Sequence, residues 1–204
     1  MTPQEVHDAQ ANGAAVIDLR TPGRFAPEHV EGAINLQFNR ADLVDRAELV
    51  LPEDLPLIIH GEPDAIAKMA GKLLEEGGFN VLGHLEGGLK AWKEAGLPVV
   101  TLDTLDVDTL HDNADDYQVV DSRDGFEFKY GRVPGSTILS WTEAWDKAGS
   151  FEDPGKPVAV ICGDEVRSSL VASILARHGH RPLLVLGGMV DWLDRDYPLE
   201  RGAP

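Results

Sequence analysis

Short runs of β-branched and apolar residues alternate along this chain with longer stretches of helical periodicity. Thr2-Pro3-Gln4-Glu5 reads as a capping box with proline in the first helical position, so a helix opens the sequence. A short strand is predicted from Ala15 to Asp18, and a loop then leads to Gly32-Ala33-Ile34-Asn35-Leu36. Leu57-Ile58-Ile59 is apolar without alternation, which suits a parallel strand covered on both faces. A helix is predicted from Asp64 to Glu76, stopped by Gly77-Gly78. Val81-Leu82 predicts a last strand, which runs into Gly87-Gly88 and a short helix bearing Trp92.

The same order returns about 100 residues later. Val16-Ile17-Asp18-Leu19-Arg20 recurs as Val119-Val120-Asp121-Ser122-Arg123 at a shift of 103, which also carries Phe25 onto Phe128, Val30 onto Val133 and Gly32 onto Gly135. Leu57-Ile58-Ile59-His60 falls on Ala159-Val160-Ile161-Cys162 at 102, and Gly87-Gly88, Trp92 and Pro98 fall on Gly187-Gly188, Trp192 and Pro198 at 100. A drift of three residues across so ordered a set marks an internal duplication. The second copy's strands are expected at Gln118 to Asp121, Val158 to Ile161 and Leu183 to Leu186, with a helix from Val166 to His178. Asp106 to Asp112 opens its first helix, and the join lies near Pro98 to Thr104. The expected fold class is α/β: two tandem copies, residues 1–100 and 101–204, each a mainly parallel sheet flanked by helices.

Composition narrows the function. Asp and Glu outnumber Lys and Arg by 35 to 18, and a net charge of -17 repels phosphate backbones, so nucleic acid is not an expected partner. No apolar run approaches the ~20 residues that span a bilayer, so no membrane partner is expected. The start of the chain lacks a basic segment followed by an apolar one and does not read as a signal peptide. One cysteine allows no intrachain disulfide, and a reducing cytoplasm is the expected compartment. The seven histidines are scattered, and neither a metal nor an organic cofactor is expected.

Chemistry concentrates at Cys162-Gly163-Asp164-Glu165-Val166-Arg167-Ser168, between a buried strand and a helix. Ligands bind at the carboxyl ends of strands in open parallel sheets, and a helix start offers unpaired N–H groups. A thiol there is expected to have a depressed pKa and to react as thiolate. Arg167, five residues on, is positioned to hold an anionic group, and Ser168 to cap the helix or donate a hydrogen bond. A lone cysteine after an apolar strand is otherwise a core residue. Gly and two charged residues directly after Cys162 favour an exposed, functional loop.

With those residues the chain resembles the rhodaneses, a family of sulfurtransferases. The likeness runs once through each copy. It rests on Asp18-Leu19-Arg20 and Asp121-Ser122-Arg123, on His29-Val30-Glu31-Gly32-Ala33 and Arg132-Val133-Pro134-Gly135-Ser136, on Cys162 to Arg167, and on the Gly-Gly to Trp segments. The tandem form is similar to thiosulfate or 3-mercaptopyruvate sulfurtransferases, whose first copy is inactive. The resemblance implies that Cys162 takes a sulfane sulfur from a small-molecule donor and passes it to a thiol or cyanide, or exchanges it with a protein partner. It implies that Gly163, Asp164, Glu165, Val166, Arg167 and Ser168 bind the donor, with backbone N–H groups stabilising the persulfide. Four residues separate Cys162 from Arg167, one fewer than in the phosphatase-like members, which suits a single sulfur atom.

Two departures qualify the likeness. In the motif comparison His60 stands opposite Cys162 and Ala65 opposite Arg167, so the first copy lacks nucleophile and clamp and is expected to stabilise the second. Asp164-Glu165 places two carboxylates beside Cys162, where they oppose thiolate formation and repel thiosulfate. That acidic pair keeps a second function class open, a non-catalytic binding, regulatory or redox-sensing module. Asp18, Arg20, Asp121 and Arg123 are expected to anchor loops, and Trp92 and Trp192 to fill cores. Trp141 and Trp145 are expected either at the mouth of a cleft or in packing between the copies.

Overall fold

The computed structural model describes residues 1–152 and 155–201 of the chain. It divides into two compact units, Met1–Thr101 and Leu102–Pro204. The first holds α1 (Pro3–Ala11), β1 (Ala15–Asp18), α2 (Pro22–Phe25), β2 (His29–Val30), β3 (Ile34–Asn35), α3 (Leu43–Val50), β4 (Leu57–His60), α4 (Asp64–Glu76), β5 (Val81–His84), α5 (Gly88–Glu94) and β6 (Val99–Val100). In the second lie β7 (Asp103–Asp106), α6 (Val107–Asp112), β8 (Gln118–Asp121), β9 (Thr137–Ile138), α7 (Ala144–Ala148), β10 (Val158–Ile161), α8 (Val166–Arg177), β11 (Pro182–Leu186) and α9 (Gly188–Asp194).

Both main sheets are parallel. The first runs β3-β1-β4-β5 and the second β7-β11-β10-β8-β9. The central strands β1, β4 and β10 are buried at every position, as their unbroken apolar runs require. β7 is a strand that the pattern of apolar residues does not announce. Of Asp103-Thr104-Leu105-Asp106 only Leu105 is buried, so the segment reads as polar loop while its backbone extends the sheet edge. The first unit has one residue in the matching place: the Met1 amine donates to the His84 carbonyl (2.8 Å) and the Glu86 N–H donates to the Met1 carbonyl (3.0 Å).

Trp92 and Trp192 fill the cores, each 1% exposed, and their indole N–H groups donate to the carbonyls of Pro98 (2.8 Å) and Pro198 (3.0 Å). A buried ion pair recurs at the end of the first long strand of each unit. Arg20 grips Asp18 through Nε and Nη2, at 3.0 and 2.6 Å, and donates to the Glu28 carbonyl (2.8 Å). Arg123 grips Asp121 at 3.0 and 2.7 Å and donates to the Gly131 carbonyl (2.9 Å), 103 residues beyond Glu28. These four residues anchor loops, as expected from their places at strand ends.

Candidate active site

Cys162 follows β10 directly, at the carboxyl end of a strand flanked by β8 and β11. Its side chain is buried. Sγ accepts the Ser168 backbone N–H at 3.2 Å and lies 3.3 Å from the Ser168 hydroxyl oxygen. It lies 3.3 Å from the Asp164 carbonyl oxygen and 3.7 Å from Asp164 Oδ1. Two carbonyls of this loop are pinned from below. The Cys162 oxygen accepts from Met189 N–H (2.8 Å) and the Gly163 oxygen from Val190 N–H (3.0 Å), both in the first turn of α9.

These contacts reverse the expected pKa. Burial, above all, pushes the Cys162 thiol up from its ordinary value, and the Asp164 charge adds to the rise. The two Ser168 hydrogen bonds and Arg167 pull the other way without overcoming burial. The Ser168 N–H donates to Sγ from the first turn of α8. Val166 N–H is spent on Asp164 Oδ1 (2.9 Å). The Asp164 carbonyl suits a protonated thiol, which donates to it, and repels a thiolate. Alkylation of Cys162 in the folded protein is therefore expected to be slow and to keep accelerating with pH beyond about 8.5, the ordinary thiol value. A rate that levels off below neutral pH, followed by mass spectrometry, contradicts this.

Arg167 meets two carboxylates. Its guanidinium reaches back over the loop but is already taken: Nη1 lies 2.5 Å from Glu127 Oε2, Nη2 lies 3.0 Å from Oε1, and Nη1 lies 3.4 Å from Asp124 Oδ2. The Glu127 bond is the main reason its pKa is raised. For Glu127, burial favours the neutral acid, but the Arg167 and Asp124 hydrogen bonds outweigh it and hold the carboxyl below its usual range. Glu127 lies in a 3₁₀ turn, Gly125–Tyr130, whose capping box ties its carboxylate to the Asp124 N–H (3.0 Å). Trp141 joins the same group, donating from Nε1 to Asp124 (3.1 Å). Trp145 instead meets His178 edge-on. Sequence reasoning missed Glu127. Its one signal is the duplication, which sets Glu127 opposite Arg24 at the 103-residue shift.

The two acidic neighbours of Cys162 part company. Asp164 stays at the sulfur, whereas the Glu165 carboxylate turns away and accepts the Gly187 N–H (2.5 Å). Of the expected pair, Asp164 is the one that bears on the thiol charge.

Sheet register also corrects the alignment of the copies. Asp18 pairs with His60, and Asp121 pairs with Ile161. The counterpart of His60 is therefore Ile161, and Gly61 is the counterpart of Cys162. A Cβ on Gly61 would lie 3.2 Å from the Ala67 nitrogen, much as Sγ sits 3.2 Å from the nitrogen of Ser168. Arg167 then matches Ile66, not Ala65. Two residues of the first unit's length are lost between β8 and β10. The first unit still has neither thiol nor cation there. His60 is buried beside Asp18, at 3.9 Å, and burial lowers its pKa, so it is a neutral core imidazole.

The rhodanese-like domain family matches residues 2–95 and again 106–195. The thiosulfate sulfurtransferase GlpE of Ectopseudomonas mendocina is 33% identical over 99 residues, covering 46% of this chain and 83% of that protein. GlpE of Pseudomonas aeruginosa is 30% identical over 97 residues, covering 46% and 82%. A rhodanese-related protein of Thermoplasma volcanium, known as a crystal structure, is 28% identical with a TM-score of 0.47, covering 49% of this chain and 99% of that one. The chain belongs to the rhodanese-like domain family and carries two such domains in tandem.

Proposed function

We propose that unit 2 is a sulfurtransferase that moves a sulfane sulfur through a Cys162 persulfide, and that unit 1 carries no catalytic group. The observation that carries this reading is a lone thiol at the carboxyl end of a central parallel strand, with the Ser168 N–H and hydroxyl at 3.2 and 3.3 Å from its sulfur. Those donors face the atom on which negative charge develops, which is where electrostatic stabilisation acts. The relatives named thiosulfate sulfurtransferase support the reaction class.

In the first step the Cys162 thiolate attacks the outer sulfur of the donor. With thiosulfate or a persulfide the Sγ–S bond forms, the donor's S–S bond breaks, and the electron pair leaves on the rest of the donor; with mercaptopyruvate the C–S bond breaks instead and the pair leaves on the enolate of pyruvate. In the second step a thiolate or cyanide attacks the outer sulfur and the pair returns to Sγ. A covalent intermediate between two half-reactions gives ping-pong kinetics. Gly163 to Ser168 form the loop facing the donor, and the partner is a small persulfide, thiosulfate or mercaptopyruvate, or a protein that hands sulfur on. A free single cysteine suits a reducing compartment such as the cytoplasm.

A second reading has its own support. Complete burial of Cys162 and the pairing of Arg167 with Glu127 also suit a binding or redox-sensing module. Intact-mass spectrometry separates the two after incubation with thiosulfate, mercaptopyruvate or glutathione persulfide. Gain of one sulfur, lost in Cys162→Ser, is the expected outcome. No adduct with any donor favours the binding module.

A further inference from the structure

We propose that Glu127 sets the donor class of the Cys162 site: by holding the Arg167 guanidinium in a two-point ion pair, it excludes donors that need an anion clamp. The site then takes sulfur from persulfides that bring no second anionic group to Arg167. This deepens, and rests on, the reading of unit 2 as a sulfurtransferase.

Arg167 is the cation that acts on Cys162. A Cβ on Gly163 would lie 3.4 Å from Arg167 Nη2, so the guanidinium lies against the loop that holds the sulfur. Both of its terminal nitrogens nonetheless face Glu127, at 2.5 and 3.0 Å, in the fork-to-fork geometry that makes carboxylate the strongest competitor for a planar cation. The Arg167 and Glu127 side chains are 27% and 20% exposed, so solvent screens the pair less than a surface bridge. Glu127 is itself held in place, its Oε2 accepting the Asp124 N–H at 3.0 Å, while Asp124 Oδ2 adds a second negative charge at 3.4 Å from Arg167. An incoming dianion such as thiosulfate meets a neutralised clamp and the Asp164 carboxylate, and it must displace a preorganised partner to bind.

The first unit sharpens the point. There, Arg24 and Glu62 bridge the corresponding loops at 2.9 Å with the signs exchanged, at 64% and 30% exposure. A bridge between these loops thus occurs in both units. In the second unit it is more buried and consumes the cation beside the thiol.

A donor with no anionic group besides its reacting sulfur needs no clamp. With 2-hydroxyethyl persulfide, Cys162 Sγ attacks the outer sulfur, the Sγ–S bond forms, the donor S–S bond breaks, and 2-hydroxyethanethiolate leaves with the pair. The test is the second-order rate of sulfur gain at Cys162 with this persulfide and with thiosulfate. In Glu127→Gln the amide keeps the shape and the capping bond but not the charge. Its thiosulfate rate is expected to rise about tenfold or more, equivalent to ~1.4 kcal/mol, while the rate with the persulfide stays within about twofold. Adding Arg167→Gln is expected to erase the gain, which a merely structural role of Glu127 would not do. A second variant guards against misfolding of the first. Arg167→Gln alone leaves the Glu127 charge uncompensated and is expected to lower the thiosulfate-to-persulfide rate ratio, whereas the double variant, net neutral like the pair, is expected to restore it. An unchanged ratio in Glu127→Gln, or a double variant that keeps the tenfold gain, overturns the proposal. Absence of sulfur gain from either donor in every variant overturns the sulfurtransferase reading instead.

Discussion

Gly188→Ala is expected to slow sulfur loading of Cys162 by about a hundredfold, the scale of loss that an ångström of misplacement produces. Gly188 sits at the start of α9 with φ +54, where any side chain is strained. Steric crowding is worse than the strain. A Cβ there would lie 2.4 Å from the Asp164 carbonyl oxygen, 2.7 Å from that of Cys162 and 2.8 Å from that of Gly163. None of these can swing aside cheaply, because the Cys162 and Gly163 oxygens are the ones bonded to Met189 and Val190. The loop must rise, and Cys162 with it. Gly88→Ala in the first unit is the control. Gly88 has a similar φ of +57, but its Cβ would first meet the His60 ring at 3.1 Å, beside no thiol. Sulfur loading of Gly88→Ala is expected to match that of the unaltered chain. Loading of Gly188→Ala within about twofold of the unaltered chain contradicts this account of the loop.

Asp121→Ala is expected to cost the second unit about 3–5 kcal/mol, the penalty for leaving a buried charge without its partner. Asp121 is fully buried and accepts from Arg123 Nε, Nη2 and backbone N–H, the last at 3.1 Å. Removing it strands a guanidinium that is about 6% exposed. A loss of that size takes a large share of the 5–15 kcal/mol that ordinarily holds a domain together, roughly speaking. Hydrogen exchange in peptides spanning β8 and β10 reads the effect. Asp121→Leu with Arg123→Met, which removes both charges, is expected to recover most of the loss. A cost below about 1 kcal/mol for Asp121→Ala would show that Arg123 finds water or another partner.

The sequence carries the fold well because the fold leaves physical traces in it. Leu57-Ile58-Ile59 and Val158 to Ile161 lack alternation since both faces are covered, and the duplication doubles every signal. β7 leaves no such trace: an edge strand with one buried residue makes its hydrogen bonds with the backbone alone. Cys162, Arg167 and Ser168 are legible as a constellation because they lie within one strand-to-helix turn. Their electrostatics are not. Whether a thiol at a helix start is activated depends on how much solvent reaches it, and the burial of Cys162 arises from packing that local sequence does not record. Arg167 is read as free for the same reason: Glu127 lies 40 residues away in sequence and meets it only through the fold.

The central claim is that Cys162 carries sulfur from donor to acceptor. Its most direct test begins with protein loaded by a persulfide donor, freed of that donor, and then mixed with cyanide or a thiol while intact mass is followed. The mass of one sulfur atom is expected to disappear in a single step, with one equivalent of thiocyanate or new persulfide appearing with it, and Cys162→Ser is expected neither to load nor to discharge. An adduct that forms but stays on the protein in the presence of either acceptor would contradict it and leave Cys162 a redox-sensing thiol.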